Sequence, residues 1–153
     1  MKGTNMGLDA YMSKKLVTVY LDDDLKKVKE KFDEHNLHHL LVVDEEGVLF
    51  GVINDRDLFK HLSPTAGTLK ETHKDVTLLN KKSHQIMNRA LVTTTVKSSI
   101  TEAVLTFYDQ QVSCLPIIDD LNKPIGIITW RDIIKILALQ YRHKLSQEAE
   151  KTS

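Results

Sequence analysis

The sequence predicts an α/β protein of the α+β kind, made of two repeats of β-α-β-β-α order packed sheet to sheet with pseudo-two-fold symmetry. Three observations carry that expectation. The stretch Gly51-Val52-Ile53-Asn54-Asp55-Arg56-Asp57-Leu58 returns 75 positions later as Gly126-Ile127-Ile128-Thr129-Trp130-Arg131-Asp132-Ile133. The same shift lays residues 12–62 on 87–137 without a gap, and thirteen of the 51 aligned positions are identical. Each copy also alternates short β-branched runs with amphipathic ones, and two copies that each expose one apolar sheet face bury it against each other.

Residues 1–9 are polar and irregular, which predicts a flexible tail. In the first repeat, residues 10–62, Leu16-Val17-Thr18-Val19 reads as a strand. The aspartates at 22–24 offer N-cap carboxylates to a helix whose Leu25, Val28 and Phe32 share one face. His39-Leu40-Leu41-Val42-Val43 reads as a buried strand, Asp44-Glu45-Glu46-Gly47 as a turn, and residues 48–53 as the hairpin partner. Asn54 then opens a helix that runs through Leu62.

Residues 63–86 are too many for a plain connection. They hold Ser63-Pro64, Gly67 and a capping-box pattern at Thr68-x-x-Glu71 before Val76, Leu78 and Leu79, which predicts a short linker helix. Residues 87–140 replay the first repeat. Past Tyr141 the chain turns charged and polar, and residues 142–153 are expected to fray.

Composition narrows the function. A 41% hydrophobic content is ordinary for a globular chain, and 21 basic against 21 acidic residues give no basic face for nucleic acid or an anionic membrane. No apolar run approaches the roughly 18 residues of a membrane span. The N-terminus lacks the apolar core of a signal peptide, and the single Cys114 forms no internal disulfide, so the expected location is cytoplasmic. That lone thiol sits in an apolar strand pattern with no catalytic motif around it, and neither a Walker loop nor GxGxxG is present. The expectation is a chain that is no enzyme.

Thr129 and Asn54 stand where a strand becomes a helix, and both are good N-cap residues. Asp132 and Asp57 follow in the helix's first turn, where a carboxylate is stabilising even without a ligand and where exposed N–H groups suit a polar or anionic one. His35, His38 and His39 cluster in sequence. Adjacent strand residues point to opposite faces, however, so no shared metal is expected. Arg56 and Arg131 match between the repeats and read as surface ion-pair partners or as phosphate contacts. Trp130 faces solvent, a cleft or a neighbouring subunit.

The two Gly-apolar-apolar-x-x-x-Asp endings, closest to the motif in Thr129, and the strand Cys114-Leu115-Pro116-Ile117-Ile118-Asp119 resemble the CBS domain, the cystathionine β-synthase motif. The tandem resembles a stand-alone CBS pair, or Bateman module, over roughly residues 10–140. That resemblance implies a regulatory module binding an adenosine compound (AMP, ADP, ATP or S-adenosylmethionine) in clefts between the repeats, with no catalytic cofactor. It implies one site from Val17, Thr18, Leu37 and His38 with Thr129, Arg131 and Asp132. The second draws on Val92, Thr93, Val112 and Ser113 with Asn54, Asp57 and His39. In such pairs the aspartate accepts from the ribose hydroxyls and the preceding Thr or Ser assists, while residues such as Val17, Leu37, Val92, Val112 and Ile127 sandwich the adenine. His38 or His39 is then an anion contact. Asn54 departs from the usual Thr or Ser, so the Asp57 site is expected to be the weaker.

A homodimer is expected through the last helix, because Ile133-Ile134-Lys135-Ile136-Leu137-Ala138-Leu139 is apolar around too much of its circumference for one sheet face. A regulated partner protein is the remaining expected contact. The rival reading is a ligand-free interaction or dimerisation scaffold.

Overall fold

The computed structural model describes residues 7–63, 65–66 and 68–153. Most of the expected N-terminal tail, with Pro64 and Gly67 of the linker, lies outside the described residues. The elements in chain order are a helical turn Leu8–Ala10, β1 Thr18–Tyr20, α1 Leu25–His35, β2 His39–Val43, β3 Leu49–Asn54 and α2 Asp55–His61. They continue as α3 His73–Leu79, α4 Ser83–Ile86, α5 Ile100–Gln110, β4 Cys114–Ile118, β5 Pro124–Thr129 and α6 Trp130–Thr152. The mixture is α+β, as the sequence predicts.

The chain forms two compact units. One gathers Lys15–Leu91 with Asp120–Pro124; the other gathers residues 7–14 with Val92–Asp119 and Ile125–Ser153. In the first, β1 runs parallel and β3 antiparallel to the central β2. Its core joins Val19, Leu40, Val42 and Ile53 of the sheet to Leu25, Val28 and Phe32 of α1 and to Leu58 of α2. Helix α1 forms where expected: Asp24 accepts from the Lys27 backbone N–H at 3.0 Å, and Asn36 ends it in the left-handed region at φ 49°.

The second unit copies this plan with one strand fewer. Thr94 makes only an isolated parallel bridge to Ile117, leaving a two-stranded β4–β5 sheet. Pro116 accounts for the end of the ladder at Val92. In the first repeat the aligned Leu41 donates its N–H to the Val17 carbonyl at 3.4 Å, and proline has no N–H to donate to Val92. The strand expected at residues 16–19 also shifts, to Thr18–Tyr20.

Each repeat's leading segment belongs to the other repeat's unit. Ser13 bridges Ile127, and 75 residues on Asn88 bridges Val52. Leu8, read from sequence as part of a loose tail, is fully buried with Leu115, Ile117 and Ile128. In the same way Ile86 and Met87 complete the core under β3, while Ser83 donates to the Asp23 carbonyl.

Two further expectations are corrected. The linker helix is capped by Thr72 and Asp75, four residues past the expected Thr68 and Glu71, because Thr68 Oγ1 turns back to donate to the Thr65 carbonyl at 2.7 Å. Residues 142–152, expected to fray, continue α6, since no glycine or proline interrupts the chain after Gly126.

Candidate functional site

The two strand-to-helix corners share one construction. At the second, Thr129 is extended at φ −116° and its Oγ1 accepts from the Asp132 N–H at 3.3 Å. The Asp132 carboxylate in return accepts from the Thr129 N–H at 2.8 Å and from its hydroxyl at 3.0 Å, both on Oδ2. At the first corner Asn54 Oδ1 accepts from the Asp57 N–H at 2.7 Å, and the return bond from the Asn54 N–H to Asp57 Oδ2 stretches to 3.5 Å. Both aspartates are therefore capping-box partners before any ligand is considered. Asp132 is the more firmly held, through the hydroxyl bond that Asn54 cannot supply.

The backbone in front of β2 and β4 lies beside these corners. The Asp55 N–H donates to the His38 carbonyl at 3.1 Å, and the aligned Trp130 N–H donates to the Ser113 carbonyl at 3.3 Å. His39 pairs in register with Asn54. The first unit thus brings together His38, His39, Asn54 and Asp57, with half-buried Val17 and Leu37 packed against its core. Thr18 opens β1 and is exposed. The second unit brings together Ser113, Thr129, Arg131 and Asp132, with Val92 and Val112 packed on its core and Thr93 half-buried.

Asp55 is the neighbour that sequence reading missed. Its Oδ2 accepts from His38 Nδ1–H at 2.9 Å, and this bond is the main reason its carboxyl is held below the usual range, against a smaller opposing effect of burial. An anion approaching His38 meets the Asp55 carboxylate as well as the imidazole. The signal was available in the hairpin: if His39 opposes Asn54, residues 38 and 55 are adjacent. Arg131 places its guanidinium 5.8 Å from the centroid of the half-exposed Trp130 ring.

Elsewhere, an open groove of about 780 Å³ runs between α1 and the linker past Lys26, Lys29, Leu69 and Val76, and holds none of the predicted site residues. Cys114 is buried, and desolvation pushes its thiol up to about 12. Among the described residues no group of three or more His, Cys, Asp or Glu is placed to hold a metal, and no helix is long and apolar enough to cross a membrane.

A duplicated α+β unit whose strand-to-helix corners each carry a capped aspartate defines a class of paired β-α-β-β-α repeats. The CBS domain profile matches residues 8–64 and again 83–139, and the chain belongs to the CBS domain family. A CBS domain-containing protein of Dictyostelium discoideum is 34% identical over 128 residues, covering 82% of this chain and 87% of that one. An inosine-5′-monophosphate dehydrogenase of Methanocaldococcus jannaschii is 32% identical over 127 residues, but the matched region is only 23% of its length against 83% of this chain. Among solved structures, the CBS domain pair of protein MJ0100 in complex with 5′-methylthioadenosine and S-adenosyl-L-methionine superposes with a TM-score of 0.72 at 22% identity, covering 88% of this chain and 97% of that one.

Proposed function

We propose that the chain is a ligand-sensing regulatory module for an adenosine compound (AMP, ADP, ATP or S-adenosylmethionine), that it is not an enzyme, and that it works as a cytoplasmic homodimer on a regulated partner protein. The Thr129–Asp132 corner carries the reading. Its cap bonds fall on Oδ2 of Asp132, so Oδ1 stays available as an acceptor for a ribose hydroxyl. The ligands in the MJ0100 complex support the adenosine class. At the other corner the return bond to the aspartate is longer and the hydroxyl is absent, which supports a weaker site at Asp57.

Calorimetry and thermal unfolding with AMP, ATP and S-adenosylmethionine test this. A ligand that binds only the folded chain raises the melting temperature with concentration. Asp132→Asn keeps an acceptor for the cap and removes the charge. Loss of a charged hydrogen bond costs roughly 1.5–3 kcal/mol, so its affinity should fall on the order of tenfold or more, and further than in Asp57→Asn. If no adenosine compound shifts the melting temperature at millimolar concentration, the sensing function fails and the ligand-free scaffold stands.

A further inference from the structure

The last turns of α6 run past residue 139, where the second CBS match ends, to Thr152. Every residue from 137 to 153 is exposed, with Tyr141 and Leu145 each at 64%. At 100° per residue Ile134, Ala138, Tyr141, Leu145 and Ala149 fall within a strip about 80° wide. Lys144 and Glu148 border that strip on one side. They are spaced to pair with each other along the helix, yet neither forms an ion pair within its own chain among the described residues. A free helix of this length is marginal in water, so most of its stability must come from packing an apolar face.

We propose that this strip is covered by the same strip of a second copy of the chain, running antiparallel and centred on Leu145. The inference rests on the homodimer reading and gives it a location. A two-fold axis at Leu145 sets Leu145 on its own copy and Tyr141 on Ala149, large against small in both halves. It also brings Lys144 beside Glu148 of the second copy, twice by symmetry. Parallel pairing would instead stack Tyr141 on Tyr141, leave Ala149 facing Ala149, and turn the border of Lys144 and Glu148 toward the opposite border of the second copy, where Arg142 sets a like charge beside Lys144. The strip therefore matches itself in shape and charge in the antiparallel direction alone.

Sedimentation of the full chain across a concentration series, with each variant's melting temperature recorded, tests the inference. The parent should be dimeric at tens of micromolar. Leu145→Glu should weaken the dimer on the order of a hundredfold and melt as the parent does at concentrations where the parent is monomeric, with adenosine-ligand binding unchanged. Lys144→Glu and Glu148→Lys should each weaken it, and the double exchange should restore it. Under mild oxidation Tyr141→Cys chains should cross-link to Ala149→Cys chains in a mixture, in preference to themselves; Cys114 is buried and adds no background. A Leu145→Glu chain that stays dimeric overturns the tail as the seat of the dimer and leaves the dimer standing. Failure of the double exchange, or self-linking of Tyr141→Cys, overturns the antiparallel arrangement. A monomeric parent overturns both the dimer and its location, while the sensing function is judged separately by calorimetry.

Discussion

Met87 lies against Gly51 so closely that a Cβ on the glycine would stand 2.7 Å from Met87 Cγ and 2.9 Å from Met87 Cβ. The aligned pair, Met12 over Gly126, repeats the contact with the tip of the methionine: the added carbon would stand 2.9 Å from Cγ and 3.2 Å from Cε. These glycines are small because another segment crosses them.

Gly51→Ala should therefore cost about 1–3 kcal/mol, because the clash reaches the root of the Met87 side chain and moves its backbone. Gly126→Ala should cost less, since a flexible methionine end can turn aside. Urea denaturation of the two variants checks the order. Met87→Ala added to Gly51→Ala should recover part of the loss, and a simple sum of the two costs would show that the crossing does not set the glycine.

The same contact shows what could be read from sequence. Gly51, Gly126, Met12 and Met87 were visible as a repeat, and the caps at Asp24, Asn54 and Thr129 were legible because capping is decided within four residues. The exchange of leading segments was not, since nothing local to Leu8 or Met87 tells which sheet it packs on. Pro116 was visible too, but its effect on the strand depends on a long-range ladder partner, Val92. For the candidate site, sequence found both capped aspartates and missed Asp55, whose bond to His38 depends on hairpin register.

Acid should weaken the fold through Asp75. This carboxyl is 2% exposed and held down to about 2, first by the Thr72 backbone N–H and then by the Thr65 hydroxyl, with burial opposing them. An unfolded aspartate titrates near 3.9, so the folded pKa is the lower one. Its stabilisation is then complete above about pH 4 and is lost as pH falls toward 2. Asp55, lowered chiefly by His38, adds in the same direction. Asp75→Asn should have a lower urea midpoint than the parent at pH 7 and a shallower decline between pH 4 and 2. Parallel curves for the two proteins would remove Asp75 as the cause.

Helices α1 and α5 both end on a left-handed residue, Asn36 at φ 49° and Gln111 at φ 52°. Asparagine tolerates that conformation and glutamine gains nothing from it. Gln111→Gly trades roughly 1–2 kcal/mol of left-handed strain for about 0.5–1 kcal/mol of added unfolded-state entropy, so it should stabilise the chain by about 0.5–1 kcal/mol. Asn36→Gly should be nearly neutral. Thermal melts of the pair decide this, and a destabilised Gln111→Gly would mean that the glutamine side chain holds the cap.

Cys114 offers a direct reading of ligand binding. The residue is 8% exposed in β4, and burial pushes its thiol up to about 12, so the folded chain presents almost no thiolate at pH 8. A thiol reagent should react through the opened chain, at a rate set by the free energy of opening when reclosing is fast. An adenosine ligand that binds only the closed form adds RT ln(1 + [L]/Kd) to that free energy, about 2.7 kcal/mol at one hundred times Kd, which slows labelling about a hundredfold. Asp132→Asn should need on the order of tenfold more ligand for the same protection if Asp132 meets the ribose. Labelling as fast as that of a free thiol would show that β4 opens without cost. Protection that is the same in Asp132→Asn and the parent would leave Asp132 with its capping role alone.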